Sequence, residues 1–205
     1  FYDAEILYIS PSWIKENASS IKQENPRGTG EHDFALLHIT RSIRNGISLP
    51  ERFPALSPDM KGDGISLGKP VLLASYPAGF LGSATIEKDL YPASAVALIK
   101  EIFIFKTSSL DLFSVGGSVV AQKGSSGSGV VSLETGKLAG IIVTSTEGHT
   151  TADRDLQAIT FSHMSESMQK DIGFSLSQFL SGDPAEESSS FQKNISPVLL
   201  QILSQ

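Results

Sequence analysis

A glycine- and serine-rich stretch between two apolar segments carries the clearest potential for chemistry. Residues 123–129 read Lys-Gly-Ser-Ser-Gly-Ser-Gly, and two valines stand on either side of the stretch. A serine nucleophile needs an exposed hydroxyl and backbone N–H groups that converge on the developing oxyanion. Glycines on both sides of Ser126 permit the tight backbone that this geometry requires. A Gly/Ser linker has a similar composition, but a flexible linker rarely lies between two strands of one core.

The second feature of chemical interest is an aspartate at the start of an apolar strand. Residues 32–39 read His-Asp-Phe-Ala-Leu-Leu-His-Ile. A carboxylate that enters an apolar strand is costly unless it has hydrogen-bond partners. One use of Asp33 is to orient an imidazole, as the aspartate of a Ser-His-Asp triad does. The alternative is an aspartate that begins the strand and caps a turn.

Together, these segments resemble the trypsin-like (chymotrypsin-fold) serine proteases. Residues 33–37 are similar to the Asp-x-Ala-Leu-Leu around the triad aspartate, and residues 124–128 to the nucleophile motif Gly-(Asp/Asn)-Ser-Gly-(Gly/Ser). Residues 67–79 resemble a strand and turn of bacterial members, including HtrA-type proteases. Residues 138–142 are similar to the strand that follows the nucleophile, and the whole resemblance covers residues 4–180.

The resemblance implies a serine endopeptidase that forms an acyl-enzyme, with Ser126 as nucleophile and Asp33 as triad aspartate. The implied oxyanion hole consists of the backbone N–H groups of Gly124 and Ser126. Val120 stands where trypsin has an aspartate. We therefore expect the substrate to carry a small or medium apolar side chain just before the scissile bond. The substrate would be a peptide or protein, and no cofactor or metal is implied. The residues implied to line the specificity pocket are Val120, Val143, Thr144 and Ser145.

Two departures from the family pattern matter. Ser125 stands where the family usually has Asp or Asn, and residues 1–31 contain no histidine, although the catalytic histidine of the family precedes the aspartate. We therefore expect a truncated protease whose base lies upstream of Phe1, and we expect this piece alone to be inactive. Because the deciding histidine is not in the sequence, a non-catalytic relative that binds peptides or acts as a scaffold stays as the alternative.

The four histidines of the chain are expected to have structural or solvent-exposed roles. His32 and His38 belong to the segment of Asp33, and in a strand both would face away from it. His149 lies in a Gly-His-Thr turn, and His163 lies near the start of a late helix. None of the four is predicted to be the base.

Other chemistries find little support in the sequence. An α/β-hydrolase would need glycine at position 128, where Ser128 stands. The histidines lack metal-ligand spacing, and no phosphate-binding glycine loop precedes a helix. The chain has no cysteine, which excludes a thiol nucleophile and cysteine-bound zinc. A net charge of −6 argues against nucleic acid as a partner.

The elements that must position these residues are short strands. Apolar runs alternate with clusters of Gly, Pro, Asn and Ser, a pattern typical of antiparallel β-structure rather than of alternating βαβ units. With the resemblance, this predicts an all-β, chymotrypsin-like double antiparallel β-barrel with an incomplete first barrel and a short C-terminal helix. The predicted strands are residues 4–9, 34–40, 69–75, 93–99, 102–106, 110–120, 130–133, 138–144 and 157–161, and the predicted helical pieces are residues 162–172 and 174–180.

The predicted domain organisation has three parts. Residues 1–48 would hold the last strands of the first barrel, and residues 49–181 would hold the second barrel and its terminal helix. Residues 182–205 would be a linker and a short amphipathic segment, because residues 181–190 are acidic and serine-rich. No apolar run reaches the roughly 18 residues of a membrane span. The resemblance implies a secreted or periplasmic (cell-envelope) location, with any membrane anchor outside this segment.

Overall fold

The protein forms two compact units. The computed structural model describes residues 2–23, 28, 30–77, 91–105, 110–146 and 149–204. Unit 1 consists of Phe1–Ala55 and Ser165–Gln205, and unit 2 consists of Leu56–Met164. The C-terminal residues therefore belong to the same unit as the N-terminal strands, which differs from the three consecutive parts predicted from the sequence.

Unit 1 contains an antiparallel pair of strands, β1 (Tyr2–Ile9) and β2 (Ala35–Ser42). Helix α1 (Pro11–Asn17) follows β1 directly, whereas the sequence predicts no helix there. The local reason for α1 is a cap. Ser10 Oγ accepts the N–H of Trp13, and the helix begins with a proline, which suits the first helical position.

The C-terminal part of unit 1 is helical, where the sequence predicts a linker followed by a short amphipathic segment at residues 182–205. Helices α4 (Pro184–Asn194) and α5 (Ser196–Ser204) occupy this region. The side chain of Asp183 caps α4, and two glutamates in its first turn interact favourably with the helix dipole. Phe191 is buried, which anchors a helix whose composition resembles that of a linker.

The remaining helices agree with the sequence. Helix α2 (Phe161–Ile172) and helix α3 (Leu176–Leu180) lie where residues 162–172 and 174–180 predict helical pieces. Ser175 and Gln178 form a reciprocal capping box at the start of α3. Within the described residues, no helix is both long enough and apolar enough to cross a membrane.

Unit 2 contains one sheet in which all paired strands are antiparallel. The order of its strands is β4-β3-β7-β8-β9-β6-β5. The antiparallel, β-rich character predicted from the sequence is confirmed. The strands are β3 (Pro70–Ser75), β4 (Ala93–Leu98), β5 (Glu101–Phe103), β6 (Leu112–Ser114), β7 (Gly129–Ser132), β8 (Leu138–Ser145) and β9 (Leu156–Thr160).

The sheet curls into a half-barrel because its two edge strands are consecutive in the chain. Only Ile99 and Lys100 separate β4 from β5. Ile99 N–H donates to the carbonyl of Lys69 beside β3, and Lys100 N–H donates to the carbonyl of Ser114 in β6. A single bend thus carries the chain from one edge of the sheet to the other.

Two turns show why glycine is needed in unit 2. The predicted hairpin turn at residues 134–137 is confirmed, and Gly136 has a φ of +67° there. The strand predicted at residues 110–120 ends at Ser114, because Gly116 has a φ of +69° and its N–H donates to Asp155 instead of a strand. The turn predicted at residues 76–79 falls partly outside the described residues.

The core of unit 2 lies inside the curled sheet. Its side chains are apolar and come mainly from alternate positions of the strands, as a sheet with one face on the core requires. The buried core residues are Ile65, Val71, Leu73, Ile99, Phe113, Val115, Val120, Ala121, Val130, Ala139, Ile142, Leu156 and Ala158.

Candidate active site

The Ser126 loop, residues 120–128, connects the end of the core segment at Val120 to strand β7. Ser126 is exposed in this loop. Gly124 and Gly127 have φ values of +93° and +81°, in the left-handed region that favours glycine. The sharp backbone expected around Ser126 is therefore present, and it leaves the hydroxyl of Ser126 open to solvent.

The neighbouring serine points the other way. Ser125 is 1% exposed, and its hydroxyl donates to the carbonyl of Val120. Its Oγ also lies 3.3 Å from the Oγ of Ser75, the buried last residue of β3. Ser125 thus anchors the loop to the sheet, while Ser126 is exposed.

Backbone N–H groups of the Ser126 loop fall into two sets. Within the described part of the chain, the N–H groups of Lys123, Gly124 and Ser126 donate no hydrogen bond. Two N–H donors that are separated by one residue in a turn can bind a single anionic oxygen. The bonded donors are the N–H groups of Ser125, Gly127 and Ser128, whose acceptors are the carbonyls of Gln122, Ile142 and Ser125.

The four predicted pocket residues lie in two places within unit 2. Val120 is fully buried in the core. Val143, Thr144 and Ser145 form the last three residues of β8. Val143 is buried and Thr144 is half-buried. The loop and this strand are joined, because the N–H of Gly127 donates to the residue before Val143. Their role as a pocket stays a prediction.

A second loop, which connects β8 to β9, is attached to the segment that precedes the Ser126 loop. Asp155 Oδ1 accepts the N–H of Gly116 at 2.8 Å. Arg154 Nη1 donates to the carbonyl of Ala121 at 3.1 Å. These two contacts fix residues 116–121 from outside the sheet.

Asp33 belongs to unit 1, whereas Ser126 belongs to unit 2. Asp33 lies in the turn that leads into β2, and its N–H donates to the carbonyl of Gly30. Its side chain is exposed, and in the described residues its carboxylate accepts no hydrogen bond. Neighbouring protein atoms still displace part of its water, and this desolvation raises the pKa of the carboxyl. The turn position matches the alternative of a strand-initiating aspartate as well as the triad role.

Three of the histidines are found in surface or partly buried settings. In unit 1, His32 Nδ1 lies 2.8 Å from Ser167 Oγ, and its Nε2 lies 3.9 Å from a carboxylate oxygen of Glu16. His38 is exposed on β2, and His149 is exposed between β8 and β9.

The fourth histidine forms a buried polar pair that the sequence does not predict. His163 Nδ1 lies 2.8 Å from Asp111 Oδ1, and both side chains are almost fully buried. The other oxygen of Asp111 accepts the N–H of Phe105 at 2.5 Å. The only sequence signal is an aspartate within an apolar run, which indicates a buried partner but does not identify it.

The strand registers place this pair and the Ser126 loop at opposite ends of the strands. Gly129 of β7 lies opposite Ile141, and Thr160 of β9 lies opposite Gly140. Because both neighbours of β8 are antiparallel to it, the chain leaves the sheet toward Ser126 and toward His163 in opposite directions. His163 is therefore not the base of a site at Ser126.

Comparisons with known proteins do not assign the chain to a family. No protein-family model matches it, and no curated protein matches it. Among the described residues, no group of three or more Asp, Glu or His side chains could hold a metal ion.

Proposed function

We propose that this chain is the serine-bearing part of a trypsin-like serine endopeptidase. Ser126 is the nucleophile, Asp33 is the triad aspartate, and the N–H groups of Gly124 and Ser126 form the oxyanion hole. The observation that carries the proposal is the loop itself. It combines an exposed serine hydroxyl with two N–H groups that donate no hydrogen bond within the described residues.

The N–H groups of Gly124 and Ser126 belong to exposed residues, where water can bond them until a substrate oxygen takes its place. In this loop the N–H groups of Lys123, Gly124 and Ser126 donate no hydrogen bond within the described residues, while those of Ser125, Gly127 and Ser128 do. Donors fixed before the reaction stabilise a developing oxyanion without the cost of reorganisation.

The fold supports the proposal at a coarser level. Unit 2 is an antiparallel sheet curled into a half-barrel, and the Ser126 loop leads into one of its central strands, β7. The finer assignment, a chymotrypsin-like double barrel with an incomplete first barrel, is part of the proposal. A secreted or cell-envelope location is proposed on the same ground.

The proposed reaction begins when Ser126 Oγ attacks the carbonyl carbon of the peptide bond and its proton passes to a histidine base. The carbonyl oxygen becomes an oxyanion that accepts the N–H groups of Gly124 and Ser126. The tetrahedral intermediate then releases the amine, which takes the proton from the histidine, and leaves an acyl ester on Ser126. Water hydrolyses the ester by the same proton transfers, so that the products are a carboxylic acid and an amine.

The histidine base is proposed to come from sequence upstream of Phe1. Asp33 would hold its tautomer and stabilise the imidazolium that forms. The side chain before the scissile bond is proposed to be small or medium and apolar, with Val120, Val143, Thr144 and Ser145 as the pocket residues.

The proposal is tested on the protein expressed from the complete gene, with a fluorophosphonate probe that reacts with activated serines. We expect one label, found by mass spectrometry of the digested protein on the peptide that contains Ser126. Ser126→Ala should remove the label, and Asp33→Asn should slow labelling by about 10³–10⁴-fold. His149→Ala, which removes an exposed histidine, should label at the wild-type rate.

Two other outcomes would contradict the proposal. A folded complete protein that takes up no probe would overturn the protease assignment and favour the non-catalytic, peptide-binding relative. Retained labelling in Ser126→Ala would show that the probe reacts at another residue.

A further inference from the structure

Ser125 and Arg154 hold two successive carbonyls at the start of the Ser126 loop. The hydroxyl of Ser125 donates to the carbonyl of Val120, and Arg154 Nη1 donates to the carbonyl of Ala121 at 3.1 Å. Both donors are side chains of loop residues. Both act on main-chain atoms of the segment that carries Gly124.

We infer that Ser125 and Arg154 are positioning residues, which hold the carbonyls of Val120 and Ala121 so that the N–H group of Gly124 stays free to bind an oxyanion. The inference rests on the proposed function and adds to it the residues that maintain the oxyanion hole. Neither side chain is assigned any contact with the substrate.

The reason lies in competition for the carbonyl of Val120. Val120 is buried, and its carbonyl oxygen can accept two hydrogen bonds. The N–H of Gln122 supplies one at 2.8 Å, and the hydroxyl of Ser125 supplies the other. The N–H of Gly124 stands four residues after Val120, the spacing of a single helical turn. Without the hydroxyl, rotation of the flexible glycine peptide would let Gly124 bond this carbonyl, and the oxyanion hole would lose a donor.

Two further contacts make the anchor rigid. Ser125 Oγ lies 3.3 Å from Ser75 Oγ, so the loop is tied to the last residue of β3. Asp155, next to Arg154 in the chain, accepts the N–H of Gly116 at 2.8 Å. The guanidinium therefore approaches Ala121 from a loop that is itself fixed.

The matched control for Ser125→Ala is Ser114→Ala. Ser114 is also a buried serine of unit 2, and among the described residues its Oγ has no hydrogen-bond partner. Removing its hydroxyl leaves no carbonyl unbonded. A difference between the two variants thus reports the hydrogen bond of Ser125 rather than the loss of a buried hydroxyl.

The first test is amide hydrogen exchange on this chain, which does not depend on activity. The amide of Gly124 should exchange rapidly in the wild type and in Ser114→Ala. In Ser125→Ala it should become protected by at least about tenfold, because it bonds the carbonyl of Val120. An unchanged exchange rate for Gly124 in a folded Ser125→Ala variant would overturn the inference.

The second test uses the complete protein and a peptide ester substrate. Ser125→Ala should lower kcat and the rate of probe labelling by about 10²-fold, as for the loss of one oxyanion donor, with little change in KM. Ser125→Thr keeps the hydroxyl and should retain most of the activity. Arg154→Gln should lower kcat less, and Arg154→Lys should recover part of the loss.

These outcomes separate the inference from the proposed function. A wild-type protein that reacts with the probe, together with a folded Ser125→Ala variant that reacts at the same rate, would overturn the inference alone. A wild-type protein that does not react would overturn the proposed function, while the exchange test would still decide the position of the Gly124 amide. Should Ser125→Ala fail to fold, Arg154→Gln provides the same two measurements.

Discussion

His163 Nδ1 and Asp111 Oδ1 lie 2.8 Å apart inside unit 2, although 52 residues separate them in the chain. The pair joins the first turn of helix α2 to the residue just before strand β6. Asp111 is also bonded by the N–H of Phe105, so both carboxylate oxygens have a donor. A buried carboxylate is stable only when it is bonded in this way.

Removing the imidazole should destabilise the protein strongly. His163→Ala leaves the carboxylate of Asp111 buried with one donor fewer, and we expect a loss of about 2–4 kcal/mol in the free energy of unfolding. His149→Ala, which removes an exposed histidine, should change this free energy by less than about 0.5 kcal/mol. Urea unfolding at neutral pH measures both, and equal stabilities of the two variants would contradict the prediction.

In unit 1, Asp171 accepts hydrogen bonds from three hydroxyls. The donors are Tyr8 at 3.0 Å, Ser10 at 2.7 Å and Ser12 at 2.5 Å. Burial by itself would raise the pKa of Asp171, but the bonds from Ser12, Ser10 and Tyr8 together outweigh it and lower the pKa. Burial and the nearby carboxylate also raise the pKa of Tyr8, which keeps its hydroxyl protonated as a donor.

The lowered pKa predicts a contribution to acid unfolding. The stabilisation from Asp171 should be present above its unfolded-state pKa of about 3.9 and lost as the pH falls through the lower folded-state value. Asp171→Asn should therefore reduce the stability at neutral pH and make it less dependent on pH below about 5. Urea unfolding between pH 2 and pH 7 measures this, and parallel curves for the variant and the wild type would refute it.

Asp33→Asn serves as the contrasting variant. Desolvation raises the pKa of Asp33, so its ionised form opposes folding at neutral pH, and the opposition disappears as acid protonates the group. The change in stability at neutral pH should accordingly have the opposite sign from that of Asp171→Asn. Changes of the same sign would show that the two environments do not differ in this way.

Gly127 and Gly140 require glycine for two different reasons, backbone conformation and lack of space. A Cβ on Gly127 would meet no atom of the described part of the chain within 4 Å, so Gly127→Ala should cost the strain of its φ of +81°, about 1–2 kcal/mol. A Cβ on Gly140 would lie 2.5 Å from the carbonyl oxygen of Ile159 and should cost more. Asparagine tolerates the left-handed region, so Gly127→Asn should cost less than Gly127→Ala. Urea unfolding of the three variants gives the order, and a reversed order would contradict it.

The cap of helix α4 can be tested in the same way. The carboxylate of Asp183 accepts the N–H of Ala185, and Asp183→Ala should lower the free energy of unfolding by about 1 kcal/mol. Ser189→Ala, on the exposed face of α4, should leave the stability equal or slightly higher. If Asp183→Ala has no effect on stability or on helical circular dichroism, the cap does not contribute.

The sequence by itself located most of the elements, because the signals for them are local. Short apolar runs, bounded by clusters of glycine, proline, asparagine and serine, identified strands such as β3, β4 and β8 close to their observed bounds. The glycine turn at residues 134–137 and the glycine-rich loop around Ser126 were also visible. Local signals were present for helices α1 and α4 as well, in Ser10-Pro11 and Asp183-Pro184, but composition outweighed them in the prediction.

Only the tertiary structure decided which residues meet. The sheet order, the pairing of His163 with Asp111, and the bond from Tyr8 to Asp171 across 163 residues have no periodic or local signature in the sequence. The burial of Ser125 beside the exposed Ser126 likewise depends on its contacts with Ser75 and with the carbonyl of Val120, two residues outside the glycine- and serine-rich motif. Propensity and periodicity report the near neighbours of a residue, whereas partners distant in sequence are selected by the packing of the whole chain.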